Sequence, residues 1–123
     1  MRELVEVALF TDDVDAARAF YSELVGATPV ADWPGGAIFA TGIAKILVHE
    51  RAAALDGGPP NEDHFALSVE DLDETCSALI AGGHAFLLEP RDYPWGRSAY
   101  LRDRDGRLVE LAQGLGQTRS ALP

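Results

Sequence analysis

EVALFTDDVDAARAF, residues 6–20, and HFALSVEDLDETCSA, residues 64–78, align without a gap when the chain is shifted by 58 residues. Ala8 falls on Ala66, Leu9 on Leu67, Asp13 on Asp71, Val14 on Leu72 and Asp15 on Asp73. Each stretch opens on a partly alternating apolar run, the pattern of a half-buried strand, and passes into apolar residues at helical spacing. In the first copy Val14, Ala17, Phe20, Tyr21 and Leu24 mark one helix face, with Asp12 or Asp13 as N-cap and Gly26 as terminator. In the second, Leu72, Cys76, Leu79 and Ile80 share a face and Gly82-Gly83 ends the helix.

The sequence on either side continues the parallel. After the first helix come three strand candidates, Thr28 to Trp33, Ala37 to Thr41 and Ala44 to Glu50, with turns at Pro34-Gly35-Gly36 and Gly42. After the second come Ala85 to Glu89, Ser98 to Asp103 and Leu108 to Gln113, the last two joined by Arg104-Asp105-Gly106. A complete element order that occurs twice is the mark of an internal repeat. The fold class predicted is α+β, a single domain (1–123) of two tandem βαβββ modules sharing a curved mixed sheet. The first module spans 3–50, a Gly-Gly-Pro-Pro linker 51–63, the second module 64–114, and a patternless, flexible tail 115–123.

Composition narrows the functional classes. At 123 residues and 47% hydrophobic content, the chain can bury a core without covalent staples. One cysteine, Cys76, leaves no internal disulfide and no multi-cysteine zinc site. The net charge of −10 offers no basic patch for nucleic acid phosphates. No apolar run approaches the ~20 residues of a membrane span. The opening MRELVEVALF does not read as a secretory signal, so the expected location is cytoplasmic.

Strand parity isolates three polar residues. If Val5, Val7 and Leu9 pack on the first helix, Leu4, Glu6, Ala8 and Phe10 face the other way. If Phe65, Leu67 and Val69 pack on the second, His64, Ala66 and Ser68 face away, and repeat symmetry sets Glu6 and His64 at equivalent positions. Glu110 interrupts the apolar run LVELA, where a carboxylate must be solvated, paired or metal-bound. Two carboxylates and one imidazole suit a divalent first-row ion (Zn, Ni, Co, Mn or Fe) with positions left for water or substrate.

These residues carry a resemblance to the vicinal oxygen chelate superfamily, which includes glyoxalase I, extradiol dioxygenases, fosfomycin resistance proteins and bleomycin-binding proteins. Its carriers are HFALSVEDLDE and PWGRSAYLRDRDGRLVELAQ, the latter similar to the family's closing Pro-Trp-Gly turn, strand, Asp-x-Asp-Gly hairpin and glutamate-bearing strand. The resemblance implies paired half-barrels around a metal, with Glu6, His64 and Glu110 as ligands. The fourth family position falls at Leu47, which cannot bind a metal, so the site expected has three ligands and the activity expected is not that of glyoxalase I. His49 shares the face of Leu47; with Trp95, Arg97 and Tyr100 it is a candidate substrate contact.

The function expected from this likeness is lyase, isomerase or epimerase chemistry on a small molecule whose adjacent oxygens chelate the metal, with Glu110 or Glu6 moving a proton. One alternative is a non-catalytic dimer that sequesters a cationic antibiotic, as bleomycin-binding relatives do. Another is an extradiol-type ring-cleaving dioxygenase using ferrous iron. A homodimer is expected in each case, with no nucleic acid and no membrane partner.

Overall fold

Asp13 and Asp71, the two aspartates that the repeat superposes, do the same work in space. Asp13 accepts from the Ala16 amide at 3.0 Å and Asp71 from the Glu74 amide at 3.1 Å. Each thereby caps one helix, α1 at Val14–Val25 and α2 at Leu72–Ala81. Gly26 closes α1 in the left-handed region at φ 82°, a conformation that costs a residue without Cβ little. The computed structural model describes residues 2–52 and 56–114; residues 53–55 of the predicted linker and the predicted tail 115–123 lie outside the described residues.

The strands are β1 (Glu3–Thr11), β2 (Ala31–Trp33), β3 (Gly36–Ala40), β4 (Lys45–Glu50), β5 (His64–Val69), β6 (Phe86–Tyr93), β7 (Gly96–Arg102) and β8 (Leu108–Gln113). They form one sheet in the order β2-β3-β4-β1-β5-β8-β7-β6. Either half has the same plan: the first strand runs parallel to the fourth, β1 to β4 and β5 to β8, and antiparallel hairpins extend outward. The halves join where β1 and β5 pair antiparallel. The result is the predicted α+β fold of two βαβββ units in a mixed sheet.

The helices lie on one face. Val69, Leu72, Cys76, Ala99 and Leu111 form the core under α2, and Ala37, Phe39 and Val48 pack with Leu9, Ala17, Tyr21 and Val25 under α1. Burial, aided by the nearby charges of Asp73 and Glu89, pushes the Cys76 thiol pKa up, which keeps it a core side chain rather than a nucleophile. On the opposite face Tyr93, Tyr100 and Leu108 pack with Leu88 and Trp95.

The strands depart from the sequence reading at several points. A bulge in the β1–β5 ladder between Leu4 and Glu6 sets Leu4 opposite Leu67, so Leu4 leaves the face it was predicted to share with Glu6. Strand β6 runs four residues past the predicted end at Glu89, through Pro90; it is an edge strand, where a missing N–H breaks no ladder, and register shifts between Phe86 and Arg91 absorb the irregularity. Strand β2 is only Ala31–Trp33, starting later than the predicted Thr28.

Candidate metal and substrate site

Ladder register builds the site row by row on the face away from the helices. One row runs Lys45, Glu6, Ala66, Glu110, Tyr100, each opposite the next on an adjoining strand. A neighbouring row runs Leu47, Ala8, His64, Leu108, Arg102. Glu6 and Glu110 are two strands apart, about 10 Å between Cα atoms at ordinary strand spacing. Ala66 lies between them and is completely buried, so no large side chain separates the two carboxylates. Both glutamates are buried, at 3% and 1% exposure. A carboxylate so placed needs strong partners.

Glu110 has them on both oxygens. Ser98 Oγ donates to Oε2 at 2.6 Å, and His64 Nε2 lies 3.3 Å from Oε1. The other imidazole nitrogen, Nδ1, is 2.8 Å from the backbone carbonyl of Glu62. A carbonyl only accepts, so Nδ1 carries a hydrogen and Nε2 is the nitrogen that faces the site. Burial opposes a charge on this imidazole. The hydrogen bonds to Glu110 and Glu62 and the charges of Glu110 and Glu6 outweigh it, and the His64 pKa is raised. The field that favours a proton on Nε2 favours a metal cation at the same point.

The donor set can be tested against a metal directly. Two donors about 2.0–2.2 Å from a zinc-sized ion, at a tetrahedral angle, are about 3.4 Å apart. The 3.3 Å between His64 Nε2 and Glu110 Oε1 fits that span. Among the described residues no three His, Cys, Asp and Glu side chains already converge on one point. The pair His64–Glu110 has the spacing of two such donors, and Glu6 stands on the same face, one strand beyond Ala66.

His49 also faces this side, in register with Phe10. The Phe10 ring lies against both histidines, 5.7 Å from His49 and 6.2 Å from His64, and His49 Nδ1 is 2.9 Å from the Glu50 carbonyl. Tyr100 is buried and meets His64 edge-on at 6.0 Å. Trp95 stacks on Tyr93 with ring centroids 4.7 Å apart, and Tyr93 meets Tyr100 at 6.0 Å. Trp33 Nε1, Tyr93 Oη and Trp95 Nε1 are buried without a hydrogen-bond partner among the described residues. Arg97 is placed elsewhere. It alternates with Ser98 along β7, on the face of Ala99, and is held by Asp73 at 2.9 Å and Asp92 at 3.2 Å.

Three participants escaped the sequence reading. Ser98 was taken only as a strand start, although its parity with Tyr100 puts it on Glu110's side. Lys45 has the parity of Leu47 and His49 and stands across the ladder from Glu6. Arg102, given no role beyond its place in the strand Ser98 to Asp103, binds Glu62 beside His64.

Comparison with known proteins agrees with this fold. Residues 3–111 match the Glyoxalase/Bleomycin resistance protein/Dioxygenase superfamily model, and the chain belongs to that superfamily. Among curated relatives, it is 26% identical over 119 residues to uncharacterized protein YetH of Bacillus subtilis, covering 92% of this chain and 99% of that one. It is 32% identical over 111 residues to the putative glyoxylase CFP32 of Mycobacterium bovis; the match covers 84% of this chain but 41% of the relative. In fold it is similar to methylmalonyl-CoA epimerase from Mycobacterium tuberculosis (TM-score 0.71, 22% identity, 92% of this chain and 88% of that one). It is also similar to the Mn(II)-bound glyoxalase from Novosphingobium aromaticivorans (TM-score 0.64, 21% identity, 92% and 40%).

Proposed function

We propose that this chain is a metal-dependent, glyoxalase-like enzyme of the lyase, isomerase or epimerase kind. Its substrate is a small molecule with adjacent oxygens. Glu6, His64 and Glu110 hold the divalent ion. The observation that carries the reading is the buried Glu110 carboxylate, fastened by Ser98 at 2.6 Å and facing His64 at 3.3 Å, with a second buried carboxylate in its row. Each acid is costly to bury without a partner, and a shared cation would offset the charge of both. The names of two fold neighbours, an epimerase and a Mn(II)-bound glyoxalase, are consistent with this class of chemistry.

When bound, the ion supplies Lewis-acid stabilisation of an oxyanion developing on the substrate. The chain's own groups divide the remaining work. Glu110, fixed through both oxygens, serves as an immobile ligand. His64 presents Nε2 because Glu62 holds Nδ1–H. Glu6 takes the proton-moving role, abstracting a proton from the carbon beside the substrate carbonyl and returning it. The buried Tyr100 and the Tyr93–Trp95 stack exclude water from the second module's side. In this reading the protein acts as a cytoplasmic homodimer, and light scattering on the purified protein tests the dimer.

The test is metal content, followed by solvent-deuterium incorporation into a panel of α-hydroxycarbonyl compounds and acyl thioesters. The expected result is bound divalent metal that His64→Ala and Glu110→Ala abolish, and metal-dependent exchange that Glu6→Gln abolishes. Wild-type levels of metal in both ligand variants would sink the proposal. One observation favours a second reading, a binder of a cationic drug: the three acid and imidazole groups do not converge as they stand, in a chain of net charge −10. Thermal shift separates the two readings. Stabilisation by a divalent metal, reversed by EDTA, supports the enzyme; stabilisation by a cationic drug alone supports the binder.

A further inference from the structure

The three residues before His64 are each tied to a different part of the chain. Asn61 donates to the Ala52 carbonyl. Asp63 Oδ1 accepts from the Phe10 amide at 2.9 Å, next to the ring that stacks on His64. Between them, the Glu62 carboxylate takes the Arg102 guanidinium in a forked pair, 2.6 Å to Oε1 and 3.3 Å to Oε2. Arg102 is itself anchored, donating to the Gly106 carbonyl at 2.9 Å in the β7–β8 turn. In the sheet, His64 and Arg102 flank Leu108 from opposite sides, on β5 and β7.

Glu62 therefore does two things at once. Its side chain is fastened to Arg102, and its carbonyl accepts from His64 Nδ1 at 2.8 Å. A peptide carbonyl is planar with its own backbone, so its direction follows from how that backbone is held. We propose that the Glu62–Arg102 pair is a positioning device for His64. It fixes the carbonyl that accepts from Nδ1–H and so aims Nε2 at Glu110. Partners of this kind, one bond behind a metal-binding histidine, commonly set metal affinity by ~10–100-fold. The inference deepens the metal-site reading and rests on it for its consequence, although the orientation of His64 stands without metal.

The decisive variants are Arg102→Gln, which removes the charged fork; Glu62→Gln, which keeps the carbonyl and weakens the grip; and Arg102→Lys, which restores charge without the fork. Two quantities are read on each: the hydrogen bond from His64 Nδ1–H, by the protection of that proton from solvent exchange in metal-free protein, and Mn²⁺ or Zn²⁺ affinity by competition with a chromophoric chelator. The expected result is faster exchange of the Nδ1 proton and about 10-fold or greater loss of affinity in Arg102→Gln and Glu62→Gln. Arg102→Lys is expected to recover part of both, with circular dichroism unchanged throughout. Wild-type protection of the Nδ1 proton in both folded charge-removing variants overturns the proposal. If wild type binds neither ion, the metal reading fails by itself, and the Nδ1–H bond still decides the positioning role.

Discussion

Glu110 shows how far one residue's sequence context reaches. A carboxylate inside LVELA is conspicuous, and strand parity is enough to put it on the face of Glu6 and His64. Parity does not say which side chain on the next strand will meet it, so Ser98 was invisible until β7 and β8 were in register. That hydroxyl is worth testing alone. Ser98→Ala leaves a buried carboxylate short of a charged hydrogen bond, which is worth about 1.5–3 kcal/mol. Urea unfolding in EDTA is expected to show a loss of that size. A loss below about 0.5 kcal/mol would mean that water or another group replaces Ser98 at little cost. Arg97 shows the reverse case. It was a candidate substrate contact, but the alternation along β7 turns it to the helix side, where two aspartates hold it.

The two helices were legible as elements because their caps are local. Asp13, Asp71 and Gly26 act within a turn of their own positions, so residue type and spacing suffice to place them. The strand ends were less readable, because a ladder is a contact with distant chain. Pro90 reads as a stop, yet an edge strand tolerates it, and the bulge beside Leu4 exists only because β5 lies alongside. The helices also differ in how they are held. Leu72 and Cys76 are buried in α2, whereas none of the residues of α1 is fully buried. Asp13→Ala and Asp71→Ala should each cost about 1 kcal/mol as lost caps. Leu72→Ala should cost about 2–5 kcal/mol through the cavity it leaves. Chemical denaturation checks the order; equal losses for the cap and core changes in α2 would contradict the packing described.

At the scale of the molecule, duplication accounts for both fold and site. Each module supplies a first strand, and the antiparallel joint of β1 with β5 brings Glu6 and His64 to one face with Glu110. Ala66 is the hinge of this arrangement, completely buried between the two carboxylates. Ala66→Leu is expected to destabilise by about 1–3 kcal/mol through overpacking and to abolish metal binding while every ligand stays in place. Retention of metal by a folded Ala66→Leu protein would show that Glu6 and Glu110 do not share an ion across it. The measurement that bears most directly on the central proposal is an anomalous difference map from crystals grown with Mn²⁺ or Zn²⁺. The expected result is a single peak within bonding distance of His64 Nε2, Glu110 and Glu6. A map without that peak, or with the ion bound elsewhere while His64 remains paired to Glu110, would contradict the assignment of these three residues as ligands.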